Sequence, residues 1–181
     1  MEDEEVKINK LDKALKILQK YKEERPVQIR EGLYLSSFAA GKNPKLLDEL
    51  NISHILSLTD IAKNDGDQDS KYIRLHLSMI DSTKQDLVPV LRIALKFMLD
   101  VKKLNDENKN HNGILVHCFQ GISRSVAILM AYLMYTEDVG VDDAYQIIKN
   151  VRPQISPNPG FIKQLQSLEE DLRKHVFELE S

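Results

Sequence analysis

The stretch "NGILVHCFQGISRSVAILMAYLMY", residues 112 to 135, joins two apolar runs through "HCFQGISRS" at 117 to 125. The first run, "NGILV", carries an early glycine and reads as a short buried strand, while "SVAILMAYLMY" is almost wholly apolar and long enough for a central helix. What lies between is then a strand-to-helix turn. The first N–H groups of a helix have no partner within it, and the macrodipole adds partial positive charge at the same end, so such a turn takes an anion.

Three anions are candidates: a substrate phosphate, a sulfate-like ligand, or the thiolate of Cys118, the only cysteine. The spacing favours phosphate and thiolate together. The amides of Phe119, Gln120, Gly121, Ile122, Ser123 and Arg124 can curl around one tetrahedral oxyanion, with Gly121 supplying the backbone freedom of a tight cradle. The planar fork of Arg124 suits two phosphate oxygens in a way that a lysine does not. Helix N-termini and nearby cations lower cysteine pKa values into the range of about 3.5 to 7.5, which predicts a Cys118 thiolate near neutral pH. The alternative is a packing cysteine, since free cysteines are among the most buried residue types. Gly121, Arg124 and Ser125 weigh for chemistry, because a structural cysteine has no need of an arginine six residues on.

The nine residues resemble the signature His-Cys-x-x-Gly-x-x-Arg-Ser of the cysteine-dependent protein tyrosine phosphatases, and every fixed position is met. Within that superfamily the chain is most similar to the small (atypical) dual-specificity phosphatases, through "GLYLSS" (32 to 37), "ISHILSL" (52 to 58), "AYLM" (131 to 134) and "RPQISPNPGFIKQL" (152 to 165). The family commonly has glycine where Ser36 stands, which bears on a local turn and on no catalytic group. The resemblance implies a phosphatase acting on phosphotyrosine, phosphoserine and phosphothreonine of proteins through a cysteinyl-phosphate, with Cys118 as nucleophile and residues 119 to 124 as the phosphate-binding loop.

Such chemistry needs a proton-handling acid, to protonate the leaving oxygen and then to activate water. It belongs on a loop upstream of the cysteine, and "KYIRLHLSMIDSTKQDL" (71 to 87) reads as a strand followed by a loop. The resemblance makes Asp81 this acid. Asp86 is the runner-up, although its position before "LVPVLRIALKFMLDVKKL" also suits a helix N-cap. Ser125 is expected to hydrogen-bond the sulfur and ease its departure, and capping the long helix is a second role compatible with the first. His117 should orient the strand end and the cysteine. Asn158, between two prolines, resembles a supporting position behind the loop and also fits a plain turn. Arg152 either contacts a second phosphate of a doubly phosphorylated substrate or balances a helix C-terminus.

Alternation of strands (27 to 35, 52 to 58, 71 to 77, 113 to 117) with helices (near 44 to 50, 87 to 104, 124 to 136, 141 to 150, 159 to 175) predicts an α/β fold. Its central sheet should be mostly parallel and twisted, with helices on both faces and the active loop at the carboxyl end of a strand, the arrangement of protein tyrosine phosphatases. The chain divides into an N-terminal extension (1 to 25), a catalytic domain (26 to 175) and a C-terminal tail (176 to 181).

With 181 residues, 42% of them hydrophobic, one domain with a real core is expected. A single cysteine allows no internal disulfide and, with a charged start "MEDEEVKINK", points to a reducing compartment, the cytoplasm or also the nucleus. Five scattered histidines and one cysteine lack metal-ligand spacing, so neither metal nor other cofactor is expected. A net charge of −3 disfavours nucleic acid as a partner. Phe119, Gln120, Ile122 and Ser123 include no lysine or arginine, whereas inositol-lipid phosphatases of the superfamily tend to carry basic residues there. A phosphoprotein substrate is favoured over phosphoinositide, phosphoglucan or RNA. A non-hydrolysing phosphoprotein-binding module would tend to lack the cysteine, the arginine or the acid, and all three are present.

Residues 6 to 22 place Ile8, Leu11, Leu15 and Leu18 at helical spacing, with six lysines against Asp12. A basic amphipathic helix of this kind binds calmodulin or an anionic membrane surface. Docking on its own catalytic domain or on a second copy is the competing expectation, ahead of both because Glu2, Asp3, Glu4 and Glu5 offset the charge.

Overall fold

The computed structural model describes residues 25 to 60, 71 to 108, 112 to 177 and 179. The N-terminal segment 6 to 22 and most of the acidic stretch 60 to 70 lie outside them.

The stretch 27 to 35, expected as one strand, is a hairpin: β1 (Val27–Arg30) and β2 (Leu33–Ser37) pair antiparallel, with Arg30 opposite Leu33. The reversal falls at Glu31 and Gly32, and Gly32 has a φ of 70°, which a glycine adopts without the Cβ clash of other residues. β3 (Ile52–Leu58), β4 (Ile73–Leu77) and β5 (Gly113–Cys118) complete a five-stranded sheet in the order β1-β2-β5-β3-β4. β5 is parallel to both neighbours, β2 and β3, and β3 is parallel to β4. Every residue of β5 is buried, which is why its sequence is a continuous apolar run rather than an alternation.

Period-two side-chain placement assigns the two faces of the sheet. Ile114, Val116 and Cys118 join the large core, while Leu115 joins a smaller cluster with Leu47, Ile52, Ile55 and Tyr72. A short 3-10 turn (Ala40–Lys42) leads to α1 (Pro44–Glu49), whose Leu47 belongs to that smaller cluster. The large core is built by α2 (Val88–Asn108), α3 (Arg124–Glu137), α4 (Val141–Val151) and α5 (Pro159–Arg173). The fold is therefore α/β with a mostly parallel sheet between helices on both faces. In α2 the core residues Leu91, Ala94, Leu95, Met98 and Val101 recur at helical spacing. α3 is buried on every side from Arg124 to Met134, as expected of a wholly apolar helix.

Ser36 sits buried in β2 as ordinary strand, its hydroxyl donating to the Ser37 carbonyl at 2.9 Å. Phe177, in the stretch read as a tail, is buried against the large core, with the Arg92 guanidinium 5.9 Å from its ring centre. Among the described residues no helix is long and apolar enough to cross a membrane.

Candidate active site

β5 ends at Cys118 and α3 begins at Arg124, so residues 119 to 123 form the loop between the central strand and the central helix. Gly121 has a φ of 68°, and a Cβ there would lie 2.4 Å from the Ser36 carbonyl oxygen. Both facts require glycine. Four successive carbonyls of the loop accept hydrogen bonds from outside it: Phe119 from Phe38 N–H at 3.2 Å, Gln120 from Arg152 Nη2 at 3.1 Å, Gly121 from Arg152 Nε at 2.8 Å, and Ile122 from Ser156 N–H at 2.8 Å. In a trans peptide the carbonyl and the following N–H point opposite ways. The N–H groups of Gln120, Gly121, Ile122 and Ser123 are thus directed away from those partners, toward the concave side of the loop.

Cys118 is 2% exposed. Its Sγ accepts hydrogen bonds from Gly121 N–H at 3.2 Å and from Ser125 Oγ at 3.3 Å. Burial pushes the thiol up, but the Ser125 hydroxyl and N–H, the Arg124 charge and the Gly121 N–H outweigh it and hold the thiol below its ordinary value. Ser125 therefore spends its hydroxyl on sulfur. The N-cap position of α3 is Ser123, whose side chain makes no capping bond.

Arg124 is buried, with Nη1 donating to the Met79 carbonyl at 3.0 Å and to Asp60 Oδ1 at 3.3 Å. Its Nε is buried with no acceptor among the described residues. A buried donor without a partner is costly, and here it belongs to the guanidinium beside the loop amides. An anion such as phosphate would satisfy it.

The segment after β4 carries the two candidate acids. Asp81 Oδ1 accepts from Ser123 Oγ at 2.8 Å and from Asn158 Nδ2 at 3.3 Å, while Asp86 Oδ1 accepts from the N–H of Val88, the first residue of α2, at 3.0 Å. The structure thus brings Asp81 to the loop and turns Asp86 to a helix end. Asn158 also donates its backbone N–H to Ser123 Oγ at 3.0 Å and caps α5 through Gly160 N–H at 2.8 Å. Gln164 bridges the acid segment to α5, donating to the Gln85 carbonyl at 2.9 Å and accepting from Leu87 N–H at 2.8 Å.

His117 is buried, with Nδ1 3.4 Å from the Cys118 carbonyl oxygen and its ring against Gly41 and Phe38. Burial, first among the causes, lowers its pKa to about 4, so it is neutral at pH 7. Arg152 is 1% exposed and donates to the Gln120 and Gly121 carbonyls, so it lies behind the loop rather than facing a second phosphate. Sequence reading did not assign Gln164, Asp60, the Met79 carbonyl or this use of Arg152. Only Arg152 carried a local signal, through Pro153, which disfavours helical backbone in the residue before it.

Residues 33–171 match the family described as "Dual specificity phosphatase, catalytic domain". "Dual specificity protein phosphatase 1" of Arabidopsis thaliana is 35% identical over 168 residues, 92% of this chain and 80% of that protein. "Dual specificity protein phosphatase 9" of Homo sapiens is 35% identical over 149 residues, covering 82% of this chain and 37% of that longer protein. The crystal structure of human DUSP28 superposes with a TM-score of 0.72 at 28% identity, covering 82% of this chain and 99% of that one.

Proposed function

The chain belongs to the dual specificity phosphatase catalytic-domain family and is a dual-specificity protein phosphatase acting on phosphoproteins, and from that premise we propose how its residues divide the work. Cys118 attacks phosphorus in line, so that an S–P bond forms as the P–O bond to tyrosine, serine or threonine breaks. The loop amides from Phe119 to Arg124 and the Arg124 guanidinium hold the three equatorial oxygens, where charge is spread in the transition state. Asp81 gives its proton to the leaving oxygen. It then takes a proton from the water that attacks the cysteinyl-phosphate, releasing inorganic phosphate and the thiolate. Ser125 donates to the departing sulfur. His117 and Asn158 act through neighbours, the first on the strand end and the second on Asp81 and Ser123.

The observation that carries this reading is the pairing of a sulfur that accepts two hydrogen bonds with an acid tied to the rim of the same loop. It is tested by the pH dependence of aryl phosphate hydrolysis in the wild type, Asp81→Asn and Asp86→Asn. Loss of the alkaline limb of kcat in the Asp81 variant alone supports the assignment; the same loss in the Asp86 variant alone would transfer the role.

Residues 6 to 22 are assigned as a docking element, first for the catalytic domain itself or a second copy of the chain and then for calmodulin or an anionic membrane surface. Co-sedimentation of the full chain with phosphatidylserine vesicles would reverse that order. A reducing compartment, cytoplasm or nucleus, suits a lone cysteine that must stay a thiolate.

A further inference from the structure

Arg152 is the largest fully buried side chain among the described residues. A guanidinium is not placed in a core without compensation, since its burial is costly unless its donors are met. Its Nε and Nη2 reach the carbonyls of two consecutive residues of the phosphate loop, Gly121 and Gln120, at 2.8 and 3.1 Å. These are two of the four carbonyls that are held from outside the loop, and the only pair served by one side chain.

The local sequence explains how the side chain arrives there. α4 ends at Val151, and Arg152, preceding Pro153, leaves the helix with φ −137° and ψ 81°. Proline disfavours helical backbone in the residue before it. The turn that follows is closed by Ile155 N–H on the Arg152 carbonyl at 3.2 Å, and Ser156 N–H then reaches the Ile122 carbonyl. One short stretch, 152 to 156, therefore holds three successive loop carbonyls.

We propose that Arg152 is a positioning residue for phosphate binding, fixing the peptide planes between Gln120 and Ile122 so that the N–H groups of Gly121 and Ile122 converge on the anion. The proposal rests on the reading of residues 119 to 124 as the phosphate cradle. Two neighbouring carbonyls call for two donors at fixed separation, which the rigid fork of arginine supplies and the single ammonium of lysine does not. The peptide between Gln120 and Gly121 is gripped at both ends, its carbonyl by Arg152 and its N–H by Cys118 Sγ. A loop amide that wanders therefore loses both anion affinity and thiolate stabilisation. The guanidinium charge behind the loop acts in the same direction.

The test uses the full chain with Arg152→Met, which retains a long apolar side chain, and Arg152→Lys, which retains the charge. Protection of Cys118 from iodoacetate by inorganic phosphate reports anion affinity without turnover, and the pH midpoint of the unprotected alkylation reports the thiolate. We expect Arg152→Met to weaken phosphate protection by about 10- to 100-fold, toward the scale of one lost oxyanion donor, and to move the alkylation midpoint to higher pH. Arg152→Lys should restore most of the midpoint and little of the protection. Wild-type protection and midpoint in a folded Arg152→Lys protein would overturn the proposal, whether or not Arg152→Met folds. A wild-type protein that is protected by phosphate yet does not hydrolyse aryl phosphate would sink the assigned chemistry alone, leaving the Arg152 comparison readable.

Discussion

Asp81 and Asp86 stand five positions apart on one segment, and their partners separate them. Asp81 shares its oxygen with Ser123 and Asn158 at the phosphate loop, whereas Asp86 accepts the first N–H of α2. Asp81→Asn should lower kcat by about 100-fold or more, the range of a lost general acid, with KM nearly unchanged, in steady-state kinetics on an aryl phosphate. Asp86→Ala should leave kcat intact and lower unfolding free energy by about 0.5–2 kcal/mol, the range of a lost cap, in a urea titration. Ser125 presents a different case, since its hydroxyl meets sulfur. Ser125→Ala should raise the pH midpoint of Cys118 alkylation, because a donor that lowers the thiol is removed; an unchanged midpoint would leave the hydroxyl without a role there. These three residues were legible to different degrees. Ser125 follows the signature directly, while Asp81 and Asp86 look alike in sequence and are told apart by partners contributed from α5 and the phosphate loop.

At the scale of elements, the site depends on close approaches that only glycine permits. A Cβ on Gly121 would collide with the end of β2, and one on Gly160, in the first turn of α5, would lie 2.7 Å from Thr83 Cα and carbonyl oxygen. Thr83 is two residues beyond Asp81. Gly160→Ala should therefore push the acid segment away from α5 and lower kcat by up to about 100-fold, since misplacements near 1 Å can have that effect. Phosphate protection of Cys118 should stay near wild type, because the phosphate loop itself is untouched. Equal losses in both measurements would mean that the substitution disturbs the loop as well. The elements themselves were mostly readable from apolar patterning: β5 as a buried run, α3 as an all-apolar helix, α2 as an amphipathic stripe. The β1–β2 hairpin was not, because a two-residue reversal carries little pattern beyond Gly32, and the apolar alternation on either side reads as one strand.

The whole molecule feels the site through His117, at the carboxyl end of the central strand and buried on every side. Its folded pKa of about 4 lies below the 6.5 of the ordinary imidazole. As pH falls from 6.5 toward 4 the unfolded chain takes up a proton that the folded chain refuses, so stability decreases across that window and is intact above it. The full difference amounts to about 3 kcal/mol, and urea midpoints between pH 7 and pH 4 should fall accordingly, with a flatter profile in His117→Asn. The sequence alone pointed to the α/β class, the strand-to-helix loop and the cysteine, arginine and serine within it, because these lie in nine consecutive residues flanked by continuous apolar runs. Only the tertiary structure decided which acid meets the loop, that Arg152 lies behind it rather than before it, and that His117 is held neutral. Those outcomes rest on contacts between residues 31 to 77 positions apart and on burial. Neither is present in any local pattern, since both arise when β5, α4 and α5 pack around one loop.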